Sequence, residues 1–149
     1  MTNIHLNSFL SYQLDLVSES AVKMASVAYE REVNLTFREV RVLRTAGSMP
    51  GIARCEMVER VLFEKSLVSR LVSGLVKKSY LRREIANTDA RRVSLHLTKK
   101  GIDILRKADA IGIAMNETWL SELTPEDRKS LDECIDKLYG ALEALEVSI

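Results

Sequence analysis

Ser66, Ser69, Arg70, Ser73 and Lys77 stand at offsets of 0, 3, 4, 7 and 11, a spacing that a helical backbone gathers on one face. Leu67, Val68, Leu71, Val72, Leu75 and Val76 fall on the opposite stripe, which asks for burial. A helix of this length, roughly 20 Å at 1.5 Å per residue, fits a DNA major groove roughly 12 Å wide. Small hydroxyl side chains let the backbone approach the groove. Arg70 can donate two hydrogen bonds to a guanine edge, and Lys77 can meet a phosphate. An ordinary solvated face on a core helix would show the same pattern, so the helix alone leaves both readings open. A second basic group follows in Asn87-Thr88-Asp89-Ala90-Arg91-Arg92, where two adjacent guanidiniums share a polar loop with an aspartate two residues before the first. An arginine at such a tip can enter a minor groove, where the negative potential is strongest, while its neighbour reaches phosphate. A surface hairpin merely solvated by its charges is the alternative.

The other reactive side chains assemble no site. Cys55 and Cys134 make no disulfide framework, and neither stands in metal-ligand spacing with His5 or His96. There is no Ser/His/Asp set and no phosphate loop, and Gly51 and Gly74 belong to no nucleotide fingerprint. No catalytic residue, metal or cofactor is expected, and the protein is not read as an enzyme. Cys55 opens a predicted helix, whose amino terminus would lower a thiol pKa, and the competing reading is a small buried packing residue. Cys134, beside Ile135, reads as packing. His96 faces away from Val93 and Leu95, toward solvent or phosphate. Phe9, Tyr12, Met24 and Trp119 suit dimer or core packing as well as a ligand pocket, so the ligand-binding residues stay unassigned.

The chain has 149 residues, one domain's worth, with 46% hydrophobic and 29% charged residues, enough to fold around a core. No apolar run approaches the roughly 18 residues of a membrane span, and the first ten residues lack the basic and apolar regions of a secretory signal. A cytoplasmic protein without membrane contact is expected. The net charge of +1 hides an uneven distribution. Residues 60–109 carry 13 Lys and Arg against 5 Asp and Glu, and residues 110–149 carry 3 against 9. The basic middle is suited to a polyanion.

Helical periodicity dominates the elements that must position these groups. A long first helix runs from about 9 to 29, with Asn7 or Ser8 able to cap it. Thr36 and Glu39 form a capping box that opens a second helix, 37 to about 46, which Gly47 is expected to end. After a turn at 48–51 come a helix at about 54–62, a break at 63–65 and a helix from 66 to about 78, a helix-turn-helix pattern. Runs 81–85 and 93–97 read as a β-hairpin. Thr98 caps a long helix to about 120. Thr124-Pro125-Glu126-Asp127 starts the last one, in which Leu131, Ile135, Leu138, Leu142 and Leu145 keep a heptad rhythm suited to helix pairing.

Glu56-Met57-Val58-Glu59-Arg60-Val61-Leu62, Lys65-Ser66-Leu67-Val68-Ser69-Arg70-Leu71-Val72, Leu81-Arg82-Arg83, Asp89-Ala90-Arg91-Arg92 and Leu97-Thr98-Lys99-Lys100-Gly101, in that order, resemble the winged-helix core of the MarR family of bacterial transcription regulators. The motif match covers about 37 to 105. The resemblance implies a mainly α fold with a small β-hairpin wing. A winged helix-turn-helix core, about 36–105, would be flanked by long dimerisation helices at about 1–35 and 106–149 of a single domain. It implies a homodimer on double-stranded DNA, with a recognition helix in the major groove and an aspartate-x-arginine wing, Asp89 and Arg91, in the minor groove. The DNA-binding set is then Lys65, Ser66, Ser69, Arg70, Ser73, Lys77, Arg83, Asp89, Arg91 and Arg92. The resemblance also implies a pocket between the dimerisation and DNA-binding parts, often occupied by small aromatic acids. Three positions depart from the pattern. Ser79 replaces a common glycine, Phe63 occupies a turn where a small residue is frequent, and residues 1–30 lack the cysteine of the peroxide-sensing branch. The expected function is a ligand-responsive repressor on a pseudo-palindromic operator, released by a small aromatic anion. The alternatives are an effector-free DNA packager, a winged-helix protein-interaction module, and a thiol redox sensor using Cys55.

Overall fold

The computed structural model describes residues 9–85 and 93–146. The chain forms two compact units, Met1–Gly112 and Ile113–Ile149. The first holds α1 (Leu10–Val33), α2 (Phe37–Ser48), β1 (Ile52–Ala53), α3 (Arg54–Val61), α4 (Lys65–Lys77), β2 (Leu81–Ile85) and β3 (Val93–Leu97). Helix α5 (Lys99–Trp119) begins in it, and α6 (Pro125–Glu146) belongs to the second unit. The architecture is mainly helical with one small sheet, as the sequence pattern requires.

Thr36 and Glu39 do form the reciprocal box. The Thr36 hydroxyl accepts from the Glu39 amide at 3.2 Å, and the Thr36 amide donates to the Glu39 carboxylate at 2.8 Å. Thr98 caps α5 by accepting from the Gly101 amide at 2.9 Å. Thr124 and Asp127 repeat the reciprocal arrangement at α6, and the Thr124 hydroxyl and amide hold the Asp127 carboxyl below its usual range. Strands β2 and β3 pair antiparallel over their whole length, from Leu81 opposite Leu97 to Ile85 opposite Val93.

Three local expectations need correction. Helix α1 starts at Leu10 with Phe9 as a cap that makes no side-chain hydrogen bond, and it continues to Val33 before Asn34 turns left-handed. Gly47 does not end α2, which runs through it to Ser48. A side chain at Gly47 would press on Leu97 and Leu105, so close packing accounts for the glycine. The sheet has three strands in the order β1-β3-β2, because Ile52 and Ala53 add themselves to β3 opposite Leu95 and Ser94. Gly51, at φ 85°, permits that approach and donates to the Leu95 carbonyl at 3.0 Å. The left-handed residue before α4 is Leu62, at φ 55°, whereas Phe63 follows it and packs half-buried against the core.

The core of the first unit collects the inward faces of these elements: Val40, Leu43 and Ala46 of α2, Met57 and Val61 of α3, Val68, Val72 and Leu75 of α4, and Leu81 and Leu95 of the sheet, all buried. Each buried aliphatic side chain contributes about 1.5–3 kcal/mol, so the α4 trio alone fixes which face of that helix points outward. Helix α4 closes in a Schellman motif. The Tyr80 amide donates to Leu75 and the Ser79 amide to Val76, both at 2.9 Å, with Ser79 itself at φ 61°. Helix α5 starts directly against this turn. The Thr98 amide donates to the Tyr80 carbonyl at 3.0 Å and its hydroxyl to the Ser79 carbonyl at 2.6 Å, while a side chain at Gly101 would collide with the Tyr80 carbonyl.

Glu39 is buried and receives the Lys78 ammonium at 2.8 Å, which ties the start of α2 to the end of α4. Burial pushes its carboxyl up, but hydrogen bonds and charge from Lys78 and the Thr36 amide and hydroxyl outweigh it and leave the pKa below the ordinary 4.5.

Three substitutions test these contacts. Ser79→Gly is expected to raise unfolding stability by about 0.5–1 kcal/mol, because it relieves a left-handed serine at some entropic cost in the unfolded chain. Gly101→Ala is expected to lower it by about 1–3 kcal/mol through overpacking against backbone. Urea midpoints check both; a neutral Gly101→Ala would mean that the two helices can slide apart freely. Because the folded Glu39 pKa is depressed, its contribution is present above pH 4.5 and is lost as pH falls through the folded value. Glu39→Gln should therefore be less stable than wild type at neutral pH by about 1–3 kcal/mol and should lose less on acidification below about 4.5. Parallel stability curves for the two proteins across that window would refute the assignment.

Candidate nucleic-acid interface

Helix α4 forms because its apolar residues recur at helical spacing after the stop at Leu62, and its outward face is what burial of Val68, Val72 and Leu75 leaves over. Ser66, Arg70 and Lys77 are exposed on that face, Ser69 and Ser73 are half-buried along it, and Lys65, exposed as the first residue of the helix, lies off it. Among the described residues, neither Arg70 nor Lys77 forms an ion pair, so two cations face outward without a competing carboxylate, and Lys65 at the start of the helix is likewise without an ion pair. Gly74, four residues after Arg70, stands where a side chain would meet nothing within 4 Å. A mid-helix glycine costs roughly 1 kcal/mol relative to alanine. Among the described residues nothing packs against this position, and its bare backbone lies on the same helix face as Arg70 and Lys77. The sequence pattern passed over this residue.

Arg83 on β2 donates to the Ser73 hydroxyl at 2.8 Å. Both belong to the expected DNA-binding set. The structure spends this contact inside the chain, fixing the wing strand against α4. At the foot of the same strand pair, Arg82 pairs with Glu84, and the Glu84 carboxylate lies 3.1 Å from His96 Nε2. His96, expected to face solvent or phosphate, is thus engaged by Glu84 and lies 3.3 Å from the Ser94 hydroxyl. Asp89, Arg91 and Arg92, the expected wing tip, lie outside the described residues. The structure therefore brings together the α4 residues and Arg83 on one side of the helix-turn-helix.

Two clusters were not legible in the sequence. Arg44 of α2 meets residues far along the chain: its Nε donates to Asp109 at 2.6 Å and its Nη2 to the buried Tyr29 hydroxyl at 3.0 Å. Burial opposes the charge on Arg44, and the bonds to Asp109 and Tyr29 outweigh it, so the guanidinium stays charged. Gly112 has no room for a side chain beside this pair. An open cavity of about 480 Å³ adjoins it, lined by Arg44, Gly47, Ser48, Leu97, Ile102, Leu105 and Asp109. Elsewhere on α2, the Arg38 and Arg41 guanidiniums lie over the Phe63 ring, at 6.0 and 5.3 Å from its centre. Cys55 and Cys134 are both exposed, which removes the buried-packing reading for each within the chain. Among the described residues no group of three metal-ligating side chains gathers, and no helix is long and apolar enough to cross a membrane.

The MarR family model matches residues 33–92. The transcriptional regulator HosA of Escherichia coli O111:H- is 27% identical over 108 residues, 72% of this chain and 80% of its own length. The fold resembles that of the PcaV transcriptional regulator from Streptomyces coelicolor in complex with its natural ligand. There the TM-score is 0.77 at 20% identity, covering 95% of this chain and 99% of that one. It also resembles MepR from S. aureus in a DNA complex, with a TM-score of 0.79 at 21% identity over 89% and 98% of the two chains.

On duplex DNA, Arg70→Ala is expected to cost about 1–3 kcal/mol and to relax preference at one base position, since Arg70 sits mid-face where a base edge is within reach. Lys77→Ala, at the helix end, should weaken all sequences alike and lower the salt slope by about 1. Competition titrations with matched and scrambled duplexes separate the two. An unchanged specificity ratio in Arg70→Ala would remove it from the base-reading role.

Proposed function

We propose that this chain, whose residues 33–92 match the MarR family model, is an effector-responsive repressor of that family acting as a homodimer on a pseudo-palindromic operator. The observation that carries this reading is the outward face of α4, where Arg70 and Lys77, without carboxylate partners among the described residues, stand with small hydroxyl residues and a glycine. Each subunit supplies one reading head, with α4 in the major groove and Asp89, Arg91 and Arg92 of the wing at the minor groove and its phosphates. Half-sites would lie about 34 Å, one helical turn, apart.

Dimerisation is supported by apolar residues that stay exposed on the terminal helices. On α6 these are Leu131, Ile135, Leu138, Leu142 and Leu145, and on α1 they include Leu10, Leu14 and Val17. Apolar side chains left exposed at heptad spacing favour a paired helix as their cover. The whole chain then works as a single domain.

A small aromatic acid is the proposed effector, and the cavity beside Arg44 is its proposed seat. Gly47, Leu97, Ile102 and Leu105 offer apolar walls for a ring, and Arg44 retains a terminal nitrogen beyond those engaged by Asp109 and Tyr29. The acid would share the guanidinium with Asp109, loosening the hold of α2 on α5. A ligand favouring a mismatched head spacing by 1.4 kcal/mol shifts the equilibrium tenfold, within the usual coupling of about 1–3 kcal/mol. Solved relatives include one bound to its natural ligand and one bound to DNA, which supports both halves of the reading.

The test is to recover genomic fragments bound at physiological salt, then to titrate benzoate, and separately peroxide, into binding of the recovered site by wild type and Cys55→Ser. The expected outcome is one palindromic site, released by benzoate in both proteins and untouched by peroxide. Release by peroxide that disappears in Cys55→Ser would replace the ligand with a thiol switch. Fragments without a common sequence, bound with no response to either agent, would mark a DNA packager.

A further inference from the structure

Arg38 and Arg41 stand three residues apart on α2 and so share a face, Arg38 exposed and Arg41 half-buried. Among the described residues neither forms an ion pair, in contrast to Arg44 on the same helix. What holds them is the Phe63 ring, with the Arg41 guanidinium 5.3 Å and the Arg38 guanidinium 6.0 Å from its centre. Phe63 is a fixed platform because it packs half-buried against the core between left-handed Leu62 and the start of α4 at Lys65. A guanidinium resting on a ring face keeps its N–H donors in its own plane, free for a planar or tetrahedral oxyanion. The two arginines are therefore pre-positioned beside the N-terminal end of α4, next to exposed Lys65, with their charge unspent.

We propose that Arg38 and Arg41, seated on Phe63, form a phosphate-binding patch that extends the DNA interface beyond α4 and the wing, at the N-terminal end of the recognition helix. The inference rests on the DNA-binding reading above, because a helix lying in a groove brings its ends toward the phosphate walls. Charge complementarity selects the occupant: a nucleic-acid backbone presents repeated anions, and the patch offers two guanidiniums that form no ion pair among the described residues. Phosphate contacts carry no base information, so the patch adds affinity and sets register without altering sequence preference.

The experiment measures binding of the full chain to a mixed-sequence duplex and to the selected operator across a salt series. The proteins are wild type, Arg38→Ala/Arg41→Ala, Arg38→Lys/Arg41→Lys and Phe63→Leu. Sedimentation and urea midpoints confirm that each is folded and assembled. Each lost phosphate contact lowers the slope of log K against log salt by about 0.9, so the alanine pair should lose about 2 per reading head, equally on both duplexes. The lysine pair should keep its slope, and Phe63→Leu, which preserves apolar packing and removes the ring, should lie between. A folded alanine pair with the wild-type slope would overturn the patch while leaving the DNA-binding reading intact. So would a loss confined to the operator, or a lysine pair as impaired as the alanine pair. A wild type that bound neither duplex would overturn the DNA-binding reading itself, and the patch with it.

Discussion

Helix α5 leaves the sheet by pressing its first turn onto the last turn of α4, with no side chain between them. Gly101 gives the Tyr80 carbonyl its space, Thr98 hydrogen-bonds back to Ser79 and Tyr80, and the Schellman turn at Ser79 presents both carbonyls. This backbone contact restrains the turn that closes α4. Helix α4 can present a constant outward face only if its C-terminal end cannot slide. Lys78 adds a second restraint from α2 through the buried Glu39 carboxylate, and Arg83 adds a third from β2 through Ser73. Three elements thus hold one helix by contacts of different chemistry: close packing, a part-buried ion pair and a side-chain hydrogen bond.

The chain places strain at the two ends of that helix. Leu62 and Ser79 both adopt left-handed backbone without being glycine, one just before α4 and one just after it. A β-carbon there costs energy that only the surrounding packing can offset. At Leu62 the return is the position of Phe63, which turns inward to support Arg38 and Arg41. At Ser79 it is the pair of carbonyl contacts that dock α5. Stability is traded for the placement of charged side chains on the outward surface.

Arg44 links chemistry to conformation by a different route. A guanidinium shared among Tyr29, Asp109 and an open cavity joins α1, α2 and α5 through one charged group. Its exposure is substantial, with side-chain accessibility of 40% for Arg44 and 45% for Asp109, so the pair itself adds modest stability. Its consequence lies in position: in the proposed reading, an anion competing for Arg44 would act on three helices at once, and a differential of about 1–2 kcal/mol would be enough to bias them.

Much of this protein is determined by local sequence. Capping boxes at Thr36 and Thr124, the period of four and three in α4 and α6, and the alternation in β3 depend on neighbours within a few residues, so composition and spacing specify them. The set on α4 was legible for the same reason, since a helix converts offsets of three and four directly into one face. Contacts between distant residues were decided only by the tertiary structure. Arg44 and Asp109 are 65 residues apart, and no local pattern pairs them. Gly47 reads as a helix stop until Leu97 and Leu105 are seen crowding it, because a glycine's signature is the same whether backbone freedom or lack of room demands it. Strand β1 spans two residues, too few for periodicity, and exists because β3 offers an edge. Arg83 and His96 looked free as charges on strands, yet partners across the sheet and on α4 engage them. A sequence states which groups are available, and packing decides which of them are already spent.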